Sequence, residues 1–148
     1  MSAVRIFVPI DAAAQSVGAN DVAVAIAREA AQRGIDIELV RNGSRGMLWL
    51  EPLVEVETNA GRIAYGPVAP EDVASLFNVG FLAGGEHRLG HGLTEAIPYF
   101  AKQERLSFAR CGVIDPLDLV DYEAHGGLTG LRRALAMQPQ DVVAKITE

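Results

Sequence analysis

The stretch RNGSRGMLWLEPLVEVETNAGRIAYGPVAPEDV, residues Arg41–Val73, decides the fold. Within residues 53–58, Val, Val and Thr form one face of a predicted strand, and Leu, Glu and Glu form the other. Asn59-Ala60-Gly61 then predicts a three-residue turn, with glycine at the position that favours a left-handed conformation. A return strand follows through Ile63 and Tyr65, so the stretch contains a β-hairpin.

A helix is predicted directly after the hairpin, beginning at Pro70. Proline suits the first helical position because its missing amide proton would have no partner there. The acids at Glu71 and Asp72 favour the positive end of the same helix. The side chains expected to face the core are Val73, Leu76 and Phe77.

Two strands and a helix are predicted before this stretch. Residues 4–8 are almost entirely apolar, as in a buried strand. Asn20 is placed to cap a helix over residues 21–33, and Gly34 is placed to end it. Residues 35–39 alternate between apolar and acidic side chains, which predicts a second strand. Together they indicate a right-handed, parallel βαβ unit.

The order βαβ followed by ββα predicts an α/β domain of the thioredoxin type over residues 1–79. The hairpin block resembles the C-terminal half of a thioredoxin-like [2Fe-2S] ferredoxin domain. That family carries cluster cysteines in two pairs, after the first strand and before the hairpin. The corresponding regions here, residues 8–13 and 42–47, contain no cysteine. The one cysteine of the chain, Cys111, cannot supply the four thiolates of such a cluster.

The second half of the chain is predicted to be a connector and a small helical segment. Residues 80–96 are rich in glycine and lack an apolar period, so we expect a connector with few core contacts. In residues 97–148, Asp115-Pro116 predicts a helix start, with aspartate as the cap and proline first. Two further helices are predicted to begin at Leu128 and Pro139.

Three parts of this half resemble one region of one family: residues 103–116, 122–127 and 134–142. They look like the helices that lead into the flavin domain of an NADH-oxidising flavoprotein subunit. Respiratory complex I, NAD-reducing hydrogenases and NAD-dependent formate dehydrogenases share this subunit. Residues 41–52 and the cysteine-free first loop look most like the β subunit of molybdenum- or tungsten-containing formate dehydrogenases.

The resemblance implies that the full-length subunit is a diaphorase. Electrons from formate oxidation would pass through iron–sulfur clusters to FMN, which reduces NAD+. FMN, NAD and [4Fe-4S] are expected in the full-length subunit, and its partners would be a catalytic α subunit and a small ferredoxin-like γ subunit. The family's glycine-rich flavin segment and four-cysteine motif do not occur in residues 1–148. We therefore assign this chain no catalytic, cofactor-binding or metal-binding residue, and expect it to scaffold and dock.

Two alternatives stay open. The chain could be a stand-alone, non-catalytic thioredoxin-like docking or assembly module. It could also be the equivalent part of an NAD-reducing hydrogenase or of complex I. Continuation of the reading frame past Glu148 into the flavin segment would separate the diaphorase from the stand-alone module.

Composition narrows the classes of partner. The 148 residues contain 13 Lys and Arg against 19 Asp and Glu, a net charge of −6. This balance argues against a general nucleic-acid binder and against binding to anionic membranes. No apolar run approaches the ~20 residues that span a bilayer, and no basic and apolar leader opens the chain. We therefore expect a cytoplasmic protein.

Several residues have the chemistry of a site, but their sequence context favours a structural role. His87 and His91 lie four apart, near Glu86 and Glu95, but the surrounding glycines favour a solvated loop over a metal site. Cys111 is interpreted as a small buried or half-buried side chain rather than a redox thiol. A disulfide oxidoreductase is disfavoured because Pro9-Ile10-Asp11-Ala12 stands where that chemistry needs two cysteines.

The remaining candidate binding residues are charged or aromatic side chains. Arg41 and Arg45, with the glycine between them, could form an anion-binding nest, but a tight turn is favoured. Trp49 either faces a partner or covers the sheet, and both alternatives stay open. His125 is predicted to be the last residue of a helix. Leu131-Arg132-Arg133 is predicted to be a solvated helix face.

Overall fold

A five-stranded mixed sheet forms the centre of the protein, which a computed structural model describes over residues 3–147. The strand order is β2-β1-β3-β4-β5. Strands β1 and β2 are parallel, and every other neighbouring pair is antiparallel. The strands are β1 (Val4–Phe7), β2 (Ile37–Val40), β3 (Val54–Thr58), β4 (Gly61–Tyr65) and β5 (Gly90–Leu93). The mixed α/β fold confirms the predicted class.

Seven helices accompany the sheet within the described residues. They are α1 (Ala12–Ser16), α2 (Ala19–Arg33), α3 (Val73–Asn78), α4 (Pro98–Ala101), α5 (Leu119–Ala124), α6 (Thr129–Leu135) and α7 (Pro139–Thr147). A short 3-10 turn, Pro70–Asp72, leads into α3, so the predicted helix start at Pro70 is confirmed. Across residues 3–147, every helix is too short or too polar to cross a lipid bilayer.

The crossover helix α2 ends as predicted but begins differently. Gly34 adopts a left-handed conformation, with φ of 66°, and closes the helix. The prediction that Asn20 caps the helix is wrong, because α2 already begins at Ala19 with Gly18 as its N-cap. The Asn20 side chain instead donates to Gln15 and accepts from Arg41. These two bonds connect the start of α2 to α1 and to the residue that follows β2.

The hairpin between β3 and β4 is tighter than predicted. Thr58 pairs with Gly61, so the connection contains two residues, Asn59 and Ala60, instead of three. Gly61 lies inside β4 with φ of 121°, a conformation that side chains rarely adopt. Thr58 Oγ1 donates to the Gly61 carbonyl across 2.7 Å and so closes the turn.

Apolar side chains pack on both faces of the hairpin. The first cluster joins the sheet to α2 and α3 through Ile6, Val22, Ile26, Val54, Val56, Leu76 and Phe77. The second, smaller cluster covers the opposite face and contains Met47, Leu50, Leu53, Ala64, Ile97 and Phe100. The side chains of β3 alternate between the two faces, so its start is buried on both sides.

The prediction of a connector with few core contacts over residues 80–96 is wrong. Phe81 is fully buried, and Leu89 is also buried in the first cluster. Residues 90–93 form β5, whose pairing depends on main-chain hydrogen bonds and needs no apolar period. The proposed boundaries at residues 79 and 96 stay predictions.

The three C-terminal helices occur where expected, but α5 begins later than predicted and α6 begins at Thr129, one residue after the predicted Leu128. Helix α5 begins at Leu119, because the Asp118 carboxylate accepts from the Val120 amide and caps it. The prediction of Asp115 as that cap is therefore wrong. Asp115 forms a local turn instead, accepting from the Leu117 amide. Helix α7 begins at Pro139 as predicted.

Candidate functional site

The two loops where the ferredoxin family carries cysteines lie side by side. The Ile10 amide donates to the Asn42 carbonyl across 2.8 Å, continuing the β1–β2 pairing past the strand ends. Arg41 reinforces the contact by donating to the carbonyls of Val8 and Pro9. Its guanidinium is therefore directed to main-chain carbonyls, and the anion-nest alternative for Arg41 is not supported. Burial lowers the pKa of Arg41, and Asp115 opposes this effect.

A cavity of about 490 Å³ opens between these loops and the later part of the chain. Asp11 and Ser44 line it from the loops, and Cys111, Ile114 and Pro116 line it from the later segment. Cys111 is exposed, so the prediction of a buried or half-buried side chain is wrong. Among residues 3–147, no three His, Cys, Asp or Glu side chains are grouped to hold a metal ion.

A buried charge network lies under the second loop. Arg45 and Glu55 are only 3% and 1% exposed, and Arg45 Nη2 lies 3.1 Å from Glu55 Oε1. Arg45 Nη1 also reaches Glu95 Oε1 at 2.8 Å. Arg62 Nη1 lies 3.4 Å from Glu55 Oε2. Two cations thus share one buried carboxylate, which makes the network an internal structural element and not an anion site.

Glu55 was not identified from the sequence. It alternates with valine in β3, and this pattern usually indicates a solvent-facing side chain. The second apolar cluster packs on the same face of the hairpin, and two of its members, Ile97 and Phe100, come some forty positions later in the chain. Burial lowers the pKa of Arg62, and the charge of Glu55 opposes this effect. Arg62 therefore faces Glu55 as a cation.

Residues 105–114, here called the covering segment, lie across this network. Arg62 donates to the carbonyls of Gly112 and Val113, across 3.1 and 2.7 Å. Asn42 Nδ2 donates to the same Gly112 carbonyl across 2.8 Å. Arg105 donates to the Arg45 carbonyl across 3.0 Å. These bonds connect the covering segment to both the second loop and β4.

Gly112 is the point at which the covering segment approaches most closely. Its φ is +78°, and a Cβ placed there would lie 2.3 Å from Cδ of Arg45. Only glycine permits both the left-handed conformation and this approach. On the same face of the sheet as Glu55, the Arg62 guanidinium lies 3.3 Å from the centroid of the Phe7 ring. The arginine is thereby held at the position from which it reaches Gly112.

His87 and His91, the two candidate metal ligands, each form a hydrogen bond with a different residue. His87 Nε2 lies 3.0 Å from Ser75 Oγ, and His91 Nε2 lies 2.8 Å from the Gly66 carbonyl oxygen. Neither lies on a helix, because His87 belongs to a loop and His91 to β5. The structure therefore does not bring the pair together as a helical face would.

The other candidates lie at the surface. Trp49 is 60% exposed and contacts Tyr99 edge-to-face, with ring centroids 5.0 Å apart. His125 is the C-cap of α5, one position after the helix ends and not its last residue as predicted, and it lies 3.1 Å from Asp121 Oδ1. Arg132 is exposed and pairs with Glu123 across 2.9 Å, as expected for a solvated helix face.

Helices α5–α7 contain no buried side chain in the described chain. Their apolar positions face solvent, which is unusual for so many large side chains in so short a segment. Leu135, for example, is 77% exposed. The others are Leu119, Val120, Leu131, Val143 and Ile146. The covering segment thus holds an apolar helical surface beside the sheet domain.

Comparisons with known proteins identify the fold. No protein-family model matches the chain, and no curated protein matches it. A thioredoxin-like [2Fe-2S] ferredoxin from Aquifex aeolicus is 20% identical, and the match covers 62% of this chain and 99% of the ferredoxin with a TM-score of 0.51. A second structure of a thioredoxin-like [2Fe-2S] ferredoxin from the same organism is 18% identical. That match covers 66% of this chain and 98% of the ferredoxin, with a TM-score of 0.54.

The structure of a cysteine-to-serine variant of the Aquifex ferredoxin is similar to this chain to the same degree. It is 22% identical, and the match covers 60% of this chain and 98% of the variant, with a TM-score of 0.50. Identities this low establish the fold and leave the activity open. The chain therefore has the fold of the thioredoxin-like ferredoxins.

Proposed function

We propose that this chain is the N-terminal part of the diaphorase, or β, subunit of an NAD-dependent formate dehydrogenase. In that subunit, electrons from formate oxidation pass through iron–sulfur clusters to FMN and then to NAD+. The segment described here scaffolds the subunit and docks its neighbours. FMN, NAD and [4Fe-4S] belong to the downstream part of the subunit.

The observation that carries the proposal is the covering segment. It connects a thioredoxin-like domain, whose two ligand loops lack cysteine, to three helices with exposed apolar faces. Four hydrogen bonds fix this connection, from Asn42, Arg105 and the two nitrogens of Arg62. Such a joint suits a part that presents one surface to another at a fixed orientation. The sequence resemblance of residues 103–142 supports the flavin domain as the downstream surface.

The partners follow from the same proposal. The catalytic α subunit and the ferredoxin-like γ subunit would contact the thioredoxin-like domain, and the flavin domain would cover α5–α7. The assembly would be cytoplasmic. Covering exposed leucines with another apolar surface removes them from water. This stabilises the assembly by roughly 25 cal/mol for each Å² of apolar surface buried.

The test is purification of the full-length subunit through an N-terminal tag in its native host. We expect it to carry FMN and iron, and to reduce NAD+ with formate. A matched pair of variants links the activity to this segment: L135E places a charge on the exposed face of α6, and R133E places the same charge on its solvated side. We expect L135E to weaken the packing of the flavin domain on α5–α7, and so to lower the FMN content and the NAD+ reduction of the subunit, and we expect R133E to leave both unchanged.

Other outcomes would identify an alternative. Hydrogen-dependent reduction of NAD+ would indicate a hydrogenase, and NADH-dependent quinone reduction would indicate complex I. A tagged protein without flavin and without diaphorase activity would contradict the proposal. It would favour the stand-alone docking module, for which the same exposed apolar faces of α5–α7 are a specific argument.

A further inference from the structure

Glu51 is a buried carboxylate that closes the loop carrying Trp49. It is 6% exposed. Its Oε1 accepts from Ser44 Oγ across 2.6 Å, and its Oε2 accepts from the Leu53 amide across 2.9 Å. Ser44 Oγ in turn accepts from the Gly46 amide across 2.9 Å. The carboxylate therefore connects both ends of residues 44–53, here called the Trp49 loop.

No cation compensates this carboxylate in the described chain. Among residues 3–147, no Lys, Arg or His forms an ion pair with Glu51. The ionisable groups that face it are two acids, Asp11 from the loop after β1 and Glu55 from β3. The charge of Glu55 is itself met by Arg45 and by Arg62.

We propose that Glu51 is a proton-binding residue whose protonation reorganises the hydrogen bonds that close the Trp49 loop. The inference does not depend on the proposed function. It rests on the hydrogen-bond pattern, because an ionised carboxylate accepts at both oxygens, whereas a carboxylic acid must donate from one of them. Protonation therefore requires the Ser44–Glu51 bond to reverse or break.

Reversal of that bond disturbs the loop because Ser44 Oγ is already occupied. It accepts from Gly46 and donates to Glu51 in the ionised form. If Glu51 became the donor, the Ser44 hydroxyl proton would need another acceptor. The short turn Leu48–Leu50 lies between the two ends and carries the exposed Leu48 and Trp49. A change in the hydrogen bonds at the two ends is therefore expected to alter the surroundings of Trp49.

The direction of the proton affinity agrees with this role. Burial raises the pKa of Glu51 above the ordinary value of 4.5, and Asp11 and Glu55 act in the same direction. The hydrogen bonds from Ser44 and Leu53 oppose the rise because they stabilise the charged form. The loop is therefore expected to respond at a pH where exposed carboxylates stay ionised.

The test follows Leu53 and Trp49 in the 148-residue chain by two-dimensional NMR between pH 8 and pH 4. Trp49 is the single tryptophan, so its indole signal and its fluorescence are both unambiguous. We expect the Leu53 amide and the Trp49 indole signals to titrate together, with a midpoint above 4.5. If both signals stay constant until the pH reaches the ordinary carboxylate value of 4.5, the proposal is overturned.

Two variants and a control make the assignment specific. E51Q should abolish the shared titration, and E57Q, on the exposed face of the same hairpin, should leave it unchanged. S44A removes the hydroxyl that favours the charged form, so its midpoint should move upward. If E51Q does not fold, the titration midpoint of S44A tests the proposal instead. An unchanged midpoint in S44A would assign the titration to another group and overturn the proposal.

Discussion

Arg62 of β4 donates across 2.7 Å to the carbonyl of Val113, fifty-one residues later in the chain. The adjacent Gly112 carbonyl accepts from the same guanidinium and from Asn42. One arginine thus connects the hairpin, the buried Glu55 and the covering segment. A thioredoxin-like sheet and the segment leading to α5–α7 are fixed relative to each other at this point.

Replacing Arg62 by methionine should release the covering segment. The variant loses two hydrogen bonds from a charged donor, so we expect a cost of about 2–3 kcal/mol in the free energy of unfolding. Hydrogen exchange across residues 105–114 should accelerate, and trypsin should cleave sooner at Arg105 and Arg110. R5M is the matched control, because Arg5 also lies over the Phe7 ring but pairs with Glu38 and Glu57. Equal exchange in both variants would contradict this role for Arg62.

Gly112 and Gly130 should respond in opposite directions to alanine. G112A places a Cβ 2.3 Å from Arg45 Cδ at a φ of +78°, so we expect a loss of about 1–3 kcal/mol. Gly130 lies within α6 and has no atom within 4 Å of a built Cβ, so G130A should stabilise by up to about 1 kcal/mol. Urea denaturation measures both. A neutral G112A would mean that the close approach to Arg45 is not needed.

Glu55 should be far more sensitive to substitution than Glu95, although both pair with Arg45. Glu55 is buried with two arginines, and its loss leaves buried cations without a carboxylate. E55Q should therefore cost about 3–5 kcal/mol. The side chain of Glu95 is 74% exposed, so E95Q should change stability by less than about 1 kcal/mol. Similar melting temperatures for the two variants would refute the importance of the buried network.

The sequence predicted those parts of the fold whose signals are local. The hairpin of β3 and β4, the helix α2 with Gly34 and the start at Pro139 depend on nearby residues, and the structure has them. Strand β5 could not be predicted, because Gly90-His91-Gly92-Leu93 has no strand pattern and gains its conformation from pairing with β4.

The candidate site was harder to predict, because it depends on contacts between distant residues. The absence of cysteine in the two loops was visible, but the covering segment was not. Asn42 and Arg62 reach Gly112 over seventy and fifty positions. The helix start at Asp115 failed for a different reason. Asp115 and Asp118 both offer a carboxylate to nearby amides, and only the geometry shows which of them caps α5.

The stability of the protein should depend on pH through Glu51. Since burial raises its pKa, the stabilising contribution of Glu51 is fully present below the ordinary value of 4.5. That contribution is lost as the pH rises through the raised folded-state value. Denaturation at several pH values should therefore show the wild-type protein losing stability relative to E51Q between acidic and neutral pH. A difference that stays constant with pH would show that Glu51 has its ordinary proton affinity.

The 148-residue chain alone should hold neither an iron–sulfur cluster nor a flavin. A single thiol, Cys111, cannot supply the four ligands of a [2Fe-2S] core. Anaerobic reconstitution should leave no stoichiometric iron and sulfide, and titration with FMN should show no saturable quenching in the micromolar range. Visible absorption typical of a cluster, or FMN-dependent oxidation of NADH, would contradict the assignment of cofactors to the downstream part.

The composition of β5 has a consequence for aggregation. A sheet that ends in a long, regular strand offers its free edge to other chains. Both edge strands, β2 and β5, are only four residues long, and β5 contains two glycines and pairs irregularly with β4 at Ala64 and Tyr65. Short, glycine-containing and irregular edges are poor templates for adding a further strand. At high protein concentration, we therefore expect molecules to associate through the exposed leucines of α5–α7, in a salt-tolerant and helix-retaining form, and not as cross-β fibrils.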